Sequence, residues 1–428
     1  MKKNYYQICE EIDNGIYLHY NTFSNKFLLL NSRLHDIYEN VPLKDMEHQN
    51  PELYTLLIDN QFIIPKDFDE LSIINLRKLH SRFDRSYYHV LVNTTLDCNL
   101  DCWYCYENRI KGSRMKEEVI YAIIKHIEIV HNNTPFTTLK LSFFGGEPFM
   151  NFKGIKKLLV WAKEFCSIHN IYLLADFTTN ATLIQNQHID FLKDYNCCFQ
   201  VTLDGDQEKH NQIKKAKNSS KDTYKTTIEN IHHLVSMISN VHVYIRINFD
   251  PQTLLKFDNI LNDIVDLNRA KCSIILKKIW QVKLEDIDKK VLLKVIQKLF
   301  DLHFYVDYYM LPKAGVCFAE RLNQVLFNYD GGVFKCSTIS KFNEENSLGK
   351  LDLNTGHVEW DENKLASLIK DITPQKCKEC VLYPICLGPC NKNLLIKKGS
   401  ICTFDDINLS RKEYLLYLFT LNNMKYVE

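Results

Sequence analysis

Apolar residues recur with strand-like and then helix-like spacing at the start of the chain. GIYLHYN and KFLLLN flank the turn TFSN, which predicts two strands, and helical patterns follow in SRLHDIYENV and PELYTLLIDNQ. Pro65 ends the last apolar segment of this stretch. Two strands followed by small helices predict a winged-helix-like module over residues 1–85.

From about residue 88 onward, strand-like apolar segments alternate with longer helical ones. The strand-like segments are YHVLVNTTL, TLKLSFFG, YLLADFTTN, CFQVTLDG and VHVYIRINFD. This alternation predicts an α/β fold of parallel βα units whose strands are buried on both faces. In such folds the chemistry lies at the carboxyl ends of the strands, so functional motifs should follow each strand directly.

Composition narrows the classes of partner. The 428 residues predict two or three domains, and 53 basic against 52 acidic side chains leave a formal net charge of +1. The chain has neither the surplus of basic residues nor the basic segment that proteins binding nucleic acid usually have. The chain starts without the apolar segment of a signal peptide, and no uncharged apolar run reaches about 18 residues. We therefore expect a cytoplasmic protein without a membrane or nucleic-acid partner.

Fifteen cysteines in a reducing compartment indicate metal ligands rather than disulfides. Cys98, Cys102 and Cys105 follow the strand-like VLVNTTL, where the fold predicts a site. Three thiolates can hold a [4Fe–4S] cluster by three irons and leave the fourth iron without a protein ligand. A zinc site, with a fourth ligand or a water, is the alternative that this spacing leaves open.

The pattern Cys-x3-Cys-x-aromatic-Cys resembles the signature of the radical S-adenosylmethionine (SAM) superfamily. Residues 145–148, Gly-Gly-Glu-Pro, follow the next strand and resemble the superfamily motif that binds the methionine end of SAM. The resemblance implies that the three cysteines ligate the cluster and that Tyr104 lies beside the adenine. It also implies that Gly145 and Gly146 let the backbone approach the ligand, and that Glu147, next to Pro148, accepts from the ammonium group.

Three further strand ends resemble the same superfamily. Asn180 follows the third strand in a turn typical of SAM ribose binding, with Ala181 where the family often has glycine. Asp204, with His210 soon after, resembles the next such segment, and Arg246 matches a polar position of the following strand. The arginine that often follows Asp204 is absent. The resemblance implies that Asn180, Asp204 and Arg246 contact SAM.

Seven cysteines between Cys317 and Cys402 form a second group. CKEC and CLGPC could each be part of a zinc ribbon, but seven thiolates do not divide into closed four-ligand zinc sites. The whole string, with Gly331 before the second cysteine, resembles the SPASM domain. That resemblance implies two auxiliary clusters. The first would be held by Cys317, Cys336 and Cys390, and the second by Cys377, Cys380, Cys386 and Cys402. VLFNYDGGVFKC predicts a hairpin turning at Asp330–Gly331, and LSRKEYLLYLFTL predicts a last helix.

The resemblance as a whole implies three domains: a winged-helix-like module over 1–85, a partial (β/α)6 TIM-like radical SAM barrel over 86–305, and a SPASM domain over 306–428. The first module resembles the peptide-recognition elements of ribosomal-peptide maturases, which add a leader peptide as a strand to an exposed sheet edge. A plain N-terminal cap is the alternative interpretation.

The function implied is a radical SAM/SPASM peptide maturase. It would cleave SAM reductively to a 5′-deoxyadenosyl radical and abstract hydrogen from a ribosomally made peptide, installing a thioether, a C–C cross-link or an oxidised residue. The implied cofactors are SAM and three [4Fe–4S] clusters. The implied partners are a precursor peptide with a leader segment and a low-potential electron donor, flavodoxin or ferredoxin. The alternatives are a formylglycine-forming enzyme of the anaerobic sulfatase-maturating type and a non-catalytic peptide-binding protein with structural metal clusters. The sequence singles out no catalytic acid or base.

Overall fold

A computed structural model describes residues 1–217, 221–308, 315–396 and 402–424. The chain forms two compact units. The first unit combines Met1–Arg82 with residues 315–317 and with the described residues from Lys370 onward, and the second comprises Phe83–Tyr308 and Phe318–Ile369. The domain boundaries near residues 85 and 305 stay predictions, because the two units follow contacts in space and not positions along the chain.

The first unit begins with a three-stranded antiparallel sheet in the order β2–β3–β4, while β1 pairs with β5. Both predicted strands and both predicted helices are present, as β3, β4, α1 and α3. The strand β2 was not predicted, because its sequence QICEEID contains three acidic residues and no regular alternation of apolar and polar positions. In the structure only Ile8 of this strand is buried. The elements are β1 (Lys2–Lys3), β2 (Gln7–Asp13), β3 (Ile16–Asn21), β4 (Lys26–Asn31), α1 (Ser32–Asn40), α2 (Leu43–Gln49), α3 (Pro51–Asp59), β5 (Ile63–Ile64) and α4 (Glu70–Phe83).

Asparagine caps fix where two helices of this part begin. The side chain of Asn31 accepts from the backbone N–H of Leu34, and that of Asn50 accepts from Leu53. Each cap satisfies an amide that has no partner within its own helix. The helices cover an apolar core whose buried members are Leu30, Tyr38, Met46, Leu53, Tyr54, Leu57, Phe62 and Ile63.

The second unit is built on an eleven-stranded sheet in the order β12–β11–β10–β9–β8–β7–β6–β13–β14–β15–β16. Neighbouring strands from β6 to β12 are parallel, and β13 adds to β6, also in parallel. Helices connect the successive parallel strands, so the predicted α/β class is confirmed.

The strands of this unit are β6 (Tyr87–Thr95), β7 (Thr138–Gly145), β8 (Tyr172–Thr179), β9 (Cys197–Leu203), β10 (Val241–Phe249), β11 (Cys272–Lys278), β12 (Tyr305–Asp307), β13 (Gln324–Phe327), β14 (Gly332–Phe334), β15 (Gly349–Leu351) and β16 (Val358–Trp360). Its helices are α5 (Glu117–Asn133), α6 (Phe152–Ile168), α7 (Asn186–Leu192), α8 (Gln207–Ile213), α9 (Thr223–Met237), α10 (Pro251–Leu255), α11 (Phe257–Ile264), α12 (Lys289–Asp301) and α13 (Glu362–Ile369). The predicted hairpin is present as β13 and β14, with Gly331 at φ +88° in its turn.

The C-terminal part of the first unit consists of short helices and one longer helix. They are α14 (Gln375–Lys378), α15 (Tyr383–Cys386), α16 (Asn391–Ile396) and α17 (Arg411–Met424), the last being the predicted final helix. The N-terminal residues hold this part by hydrogen bonds. Tyr5 donates to the carbonyl of Glu379 over 2.7 Å, and Tyr6 donates to that of Lys378 over 2.8 Å. The cysteine-rich segment and the N-terminal sheet therefore form one structural unit. Among the helices described, none is both long and apolar enough to cross a membrane.

Candidate active site

A cleft of about 210 Å³, open to solvent, lies at the carboxyl ends of the parallel strands, where the sequence predicted the chemistry. The loop between β6 and α5 supplies its wall from residue 98 to residue 109, and the ends of β7 and β8 supply residues 144–146 and 178–180. Lys214, polar side chains from β9 and β10, and residues 278–281 at the end of β11 and just beyond it complete the lining.

Cys98, Cys102 and Cys105 all line this cleft. Cys98 is buried, Cys102 is half-buried and Cys105 is exposed. Burial raises the pKa of the Cys98 thiol to about 12, so the sulfur keeps its proton unless a metal replaces it. Arg109 stabilises the loop by donating to the carbonyl oxygens of Leu100 and Cys102, over 2.6 Å and 3.3 Å.

The donor set fits a [4Fe–4S] cluster with three protein ligands. No fourth cysteine is among the described residues that line the cleft. Three thiolates leave one iron of the cluster without a protein ligand, so that this iron can bind a small molecule in the same cavity. Cys98, Cys102 and Cys105 would therefore hold the cluster.

The loop over residues 145–148 lies directly against the end of β6. The backbone N–H of Gly146 donates to the carbonyl of Thr95 over 3.1 Å, and that of Glu147 donates to Asp97 over 2.9 Å. A Cβ atom on Gly145 would overlap the Thr95 carbonyl oxygen, and one on Gly146 would overlap that of Asp97. Glycine is therefore required at these two positions because they contact the backbone of residues 95 and 97. Both glycines also line the cleft.

Glu147 is fully buried and lies behind the cleft wall, as does Pro148. Its carboxylate accepts from the Thr179 hydroxyl over 2.7 Å and from the Asn180 N–H over 2.8 Å. Burial raises its pKa, while these hydrogen bonds oppose that shift. Glu147 therefore joins the 145–148 loop to the end of β8, and its contact with the SAM ammonium stays a prediction.

Asn180 lines the cleft and reaches the cysteine loop. Its side-chain amide donates to the Asn99 side chain over 3.0 Å and lies 3.9 Å from the Cys98 sulfur. The next residue, Ala181, is fully buried at φ +61°, a conformation that residues with a Cβ rarely adopt. Glycine would adopt this backbone conformation without strain.

Asp204 is fully buried at the centre of a polar network beneath the cleft. Tyr104 donates its hydroxyl to this carboxylate, lying 2.7 Å from both oxygens, and Asn248 donates its amide over 2.9 Å. The Lys214 ammonium lies 3.4 Å from the same carboxylate. Arg246, which lines the cleft, donates to the Asn248 side chain over 3.0 Å.

Lys214 is the charge partner of Asp204. The sequence assigned no role to Lys214, and the structure pairs its ammonium with the Asp204 carboxylate. His210 lies behind the network, where the backbone N–H of Asp204 donates to its Nδ1 over 3.3 Å. Burial, with a contribution from Lys214, lowers the pKa of His210 to about 3, so its imidazole is neutral.

We expect Tyr104→Phe to lower the free energy of unfolding of the second unit by about 2 kcal/mol, because a buried carboxylate loses a hydrogen-bond donor. Chemical denaturation of the anaerobic protein measures this change. Tyr106→Phe is the matched control, since the Tyr106 hydroxyl donates to the Ser337 carbonyl over a long 3.4 Å. Equal effects of the two substitutions would show that the Tyr104–Asp204 bond does not stabilise the site.

Two further cleft residues were not found from the sequence. Trp280 stacks on Tyr106 with ring centroids 5.6 Å apart, and Glu107 has a buried carboxylate oxygen without a hydrogen-bond partner among the described residues. Burial raises the pKa of Glu107 to about 8. Glu107 follows Cys105 by two residues on the same loop, whereas only the fold brings Trp280 to the cleft.

Four of the C-terminal cysteines are neighbours in the first unit. Burial raises the pKa of Cys377, and the nearby thiols of Cys386, Cys402 and Cys380 raise it further. These are the four residues predicted for the second auxiliary cluster.

The three cysteines predicted for the first auxiliary cluster are divided between the units. Cys317 and Cys390 are exposed residues of the first unit, whereas Cys336 belongs to the second. Within the second unit, Cys336 is close enough to Tyr106 of the cleft to raise the pKa of that phenol, although burial is the main cause. The grouping of Cys317, Cys336 and Cys390 stays a prediction.

The fold and the cleft define an α/β enzyme with a three-cysteine loop at the carboxyl ends of parallel strands. Residues 92–264 match the model of the Radical SAM superfamily. The predicted resemblance, the enzymatic class and the use of SAM and a [4Fe–4S] cluster are thereby confirmed.

Several known proteins are similar to this chain. An uncharacterized Methanocaldococcus jannaschii protein, MJ0907, is 30% identical over 27% of this chain, so the chain spans only 38% of that relative's length. The cysteine-type anaerobic sulfatase-maturating enzyme of Clostridium perfringens is 22% identical over 77% of this chain and 96% of its own length. The solved structure of native anSMEcpe with bound AdoMet and Cp18Cys peptide has a TM-score of 0.58 at 20% identity, covering 80% of this chain and 100% of that one.

Proposed function

We propose that this enzyme is a SPASM-type maturase of a ribosomally made peptide that carries a leader segment. It acts in the cytoplasm with a flavodoxin or ferredoxin as electron donor. It removes hydrogen from the peptide to install a thioether, a C–C cross-link or an oxidised residue. The observation that carries this proposal is a cleft that unites the three-cysteine loop with the 145–148 loop at the strand ends. When bound, the cluster supplies the electron that cleaves SAM to the hydrogen-abstracting 5′-deoxyadenosyl radical.

The chain's own residues position the cofactors. Cys98, Cys102 and Cys105 hold the cluster at one wall, and Asn180 reaches the loop that carries them. The buried pair of Asp204 and Lys214 holds the Tyr104 hydroxyl in place, so that the Tyr104 ring faces the cleft in one orientation. SAM would lie between these groups, against Gly145, Gly146 and Arg246.

Two auxiliary [4Fe–4S] clusters are also part of the proposal, giving three in all. The neighbouring thiols of Cys377, Cys380, Cys386 and Cys402 support the second auxiliary cluster. For the first, the support is the SPASM-like spacing of Cys317, Cys336 and Cys390 in the sequence.

The N-terminal sheet would bind the leader peptide at β4. This strand pairs with β3 alone among the described strands, and so one of its edges has backbone groups that another strand can pair with. Leu28 and Leu30 pack against the core of the module. On the opposite face, Phe27 stacks on Tyr20 at 4.2 Å between centroids, and Leu29 is 51% exposed.

Proline at Leu28 or at Leu29 tests this edge. Successive backbone N–H groups of a strand point to opposite edges, so one substitution removes a bond to β3 and the other removes a donor from the open edge. We expect the substitution at the residue whose N–H points to the open edge to keep the circular dichroism spectrum. It should weaken peptide binding about tenfold, as the loss of one hydrogen bond implies. The probe is a labelled synthetic peptide encoded by a short reading frame beside the gene, and fluorescence anisotropy measures the Kd.

Leu56→Ala, an exposed leucine of α3 in the same module, is the matched control and should bind as wild type. If the proline variant that stays folded also binds as wild type, the module is a cap and not a peptide reader. Deleting residues 1–85 is a poorer test, because Tyr5 and Tyr6 hydrogen-bond the cysteine-rich segment.

The sulfatase-maturating type is a second candidate, supported by the Clostridium perfringens enzyme that aligns with 77% of this chain. Mass spectrometry decides between the two. Formylglycine in a cysteine peptide derived from a sulfatase, with no change in the neighbouring-gene peptide, would favour the second candidate. Modification of the neighbouring-gene peptide alone would favour the first.

A further inference from the structure

Three side chains capable of binding metal meet in the first unit, away from the motif cysteines. Cys9 on β2 pairs in register with His19 on β3, and His35 of α1 lies over them. The Cys9 sulfur is 3.3 Å from His19 Nε2 and 3.9 Å from His35 Nδ1, and the two nitrogens are 3.1 Å apart.

These distances match three corners of a zinc tetrahedron. With Zn–N of about 2.05 Å and Zn–S of about 2.3 Å, tetrahedral geometry places two nitrogens about 3.3 Å apart and a nitrogen about 3.6 Å from sulfur. The observed N–N distance of 3.1 Å is close to the first value. The two S–N distances, 3.3 Å and 3.9 Å, lie on either side of the second. We propose that Cys9, His19 and His35 bind a Zn²⁺ ion, with water in the fourth position.

The surroundings of the three side chains limit their movement. His19 is only 2% exposed, and the His35 ring stacks on Tyr17 with 3.7 Å between ring centroids, which limits movement of both imidazoles. Glu39 lies one helical turn after His35, and its charge acts on both Cys9 and His19. Lys3 carries the opposing charge and its ammonium pairs with Glu39 over 3.0 Å, so the two charges offset each other and the geometry of the three ligands carries the proposal.

Zinc at this position would connect three elements of the N-terminal module. It would join α1 to the β2–β3 hairpin, with binding releasing the thiol proton and stabilising the folded module. Cys9 is not among the ten cysteines assigned to clusters. The site is therefore independent of SAM cleavage, and neither proposal depends on the other.

The spacing Cys-x9-His-x15-His explains why the sequence did not indicate this site. Zinc motifs recognised from sequence place two ligands within a few residues of each other. Here antiparallel register brings Cys9 beside His19, and packing of a helix adds His35.

The test uses the full chain, purified anaerobically with its iron–sulfur clusters, given one equivalent of ZnCl₂ and then passed over a desalting column. Mass spectrometry of the elements should find one tightly held zinc per chain in wild type, and at least a fivefold lower content in Cys9→Ala and His35→Ala, with iron unchanged. Cys166→Ala, a buried cysteine of α6, and His48→Ala, an exposed histidine of α2, are matched controls that should keep the zinc.

Zinc K-edge X-ray absorption gives a second measurement that uses the wild-type protein alone, so misfolding of a variant cannot affect it. One sulfur and three nitrogen or oxygen neighbours are expected, because zinc in an iron–sulfur site would have three or four sulfurs. The proposal fails if wild type retains no zinc, if both variants retain as much as wild type, or if the spectrum shows no sulfur or several. The trio would then be a hydrogen-bonded cluster.

Discussion

We expect replacement of Cys102 by alanine to abolish reductive cleavage of SAM. With the three clusters proposed above, the iron content of the reconstituted enzyme should fall from about twelve to about eight atoms per chain. Cys102 lies between Cys98 and Cys105 in the loop that lines the cleft, and two thiols cannot retain a cluster that three hold. Chromatography of 5′-deoxyadenosine after dithionite reduction measures the cleavage, and a colorimetric iron assay measures the cluster content.

Cys166→Ala is the control, since this buried cysteine of α6 lies outside every cluster assignment. It should keep both the iron and the cleavage activity. Cleavage by Cys102→Ala at the wild-type rate would overturn the assignment of this loop. Wild-type protein with only about four irons would instead refute the two auxiliary clusters and leave the SAM site intact.

Gly146→Ala is expected to destabilise the second unit by about 4 kcal/mol or more and to prevent SAM binding. The added Cβ would overlap the backbone carbonyl of Asp97, and no flexible side chain can move aside. The hydrogen bonds that Gly146 and Glu147 donate to Thr95 and Asp97 would have to break as the loop shifts. Anaerobic chemical denaturation measures the stability, and equilibrium dialysis with labelled SAM measures the binding.

Gly112→Ala is the matched control in the neighbouring loop. Gly112 has φ +73° and no atom within 4 Å of an added Cβ, so only backbone strain of about 1 kcal/mol is expected. If the two alanine variants are equally stable, the close approach of the 145–148 loop to β6 does not limit the site.

The sequence by itself determined the α/β class and the position of the three-cysteine loop. Both depend on signals that are local in the chain: apolar segments of strand length separated by helices, and thiols a few residues apart after a strand. Since parallel strands end at one edge of a sheet, the order of the motifs was enough to place Cys98, Gly145, Asn180 and Arg246 at one cleft.

Only the tertiary structure decided which residues far apart in the chain form ion pairs or pack against each other. Lys214 became the partner of Asp204, and Glu147 was placed behind the cleft wall, because burial and strand packing set those distances. The structure likewise joined the N-terminal sheet to the cysteine-rich segment and brought Cys9, His19 and His35 together. Contacts between residues far apart in the chain depend on register and packing, which side-chain spacing along the chain does not encode.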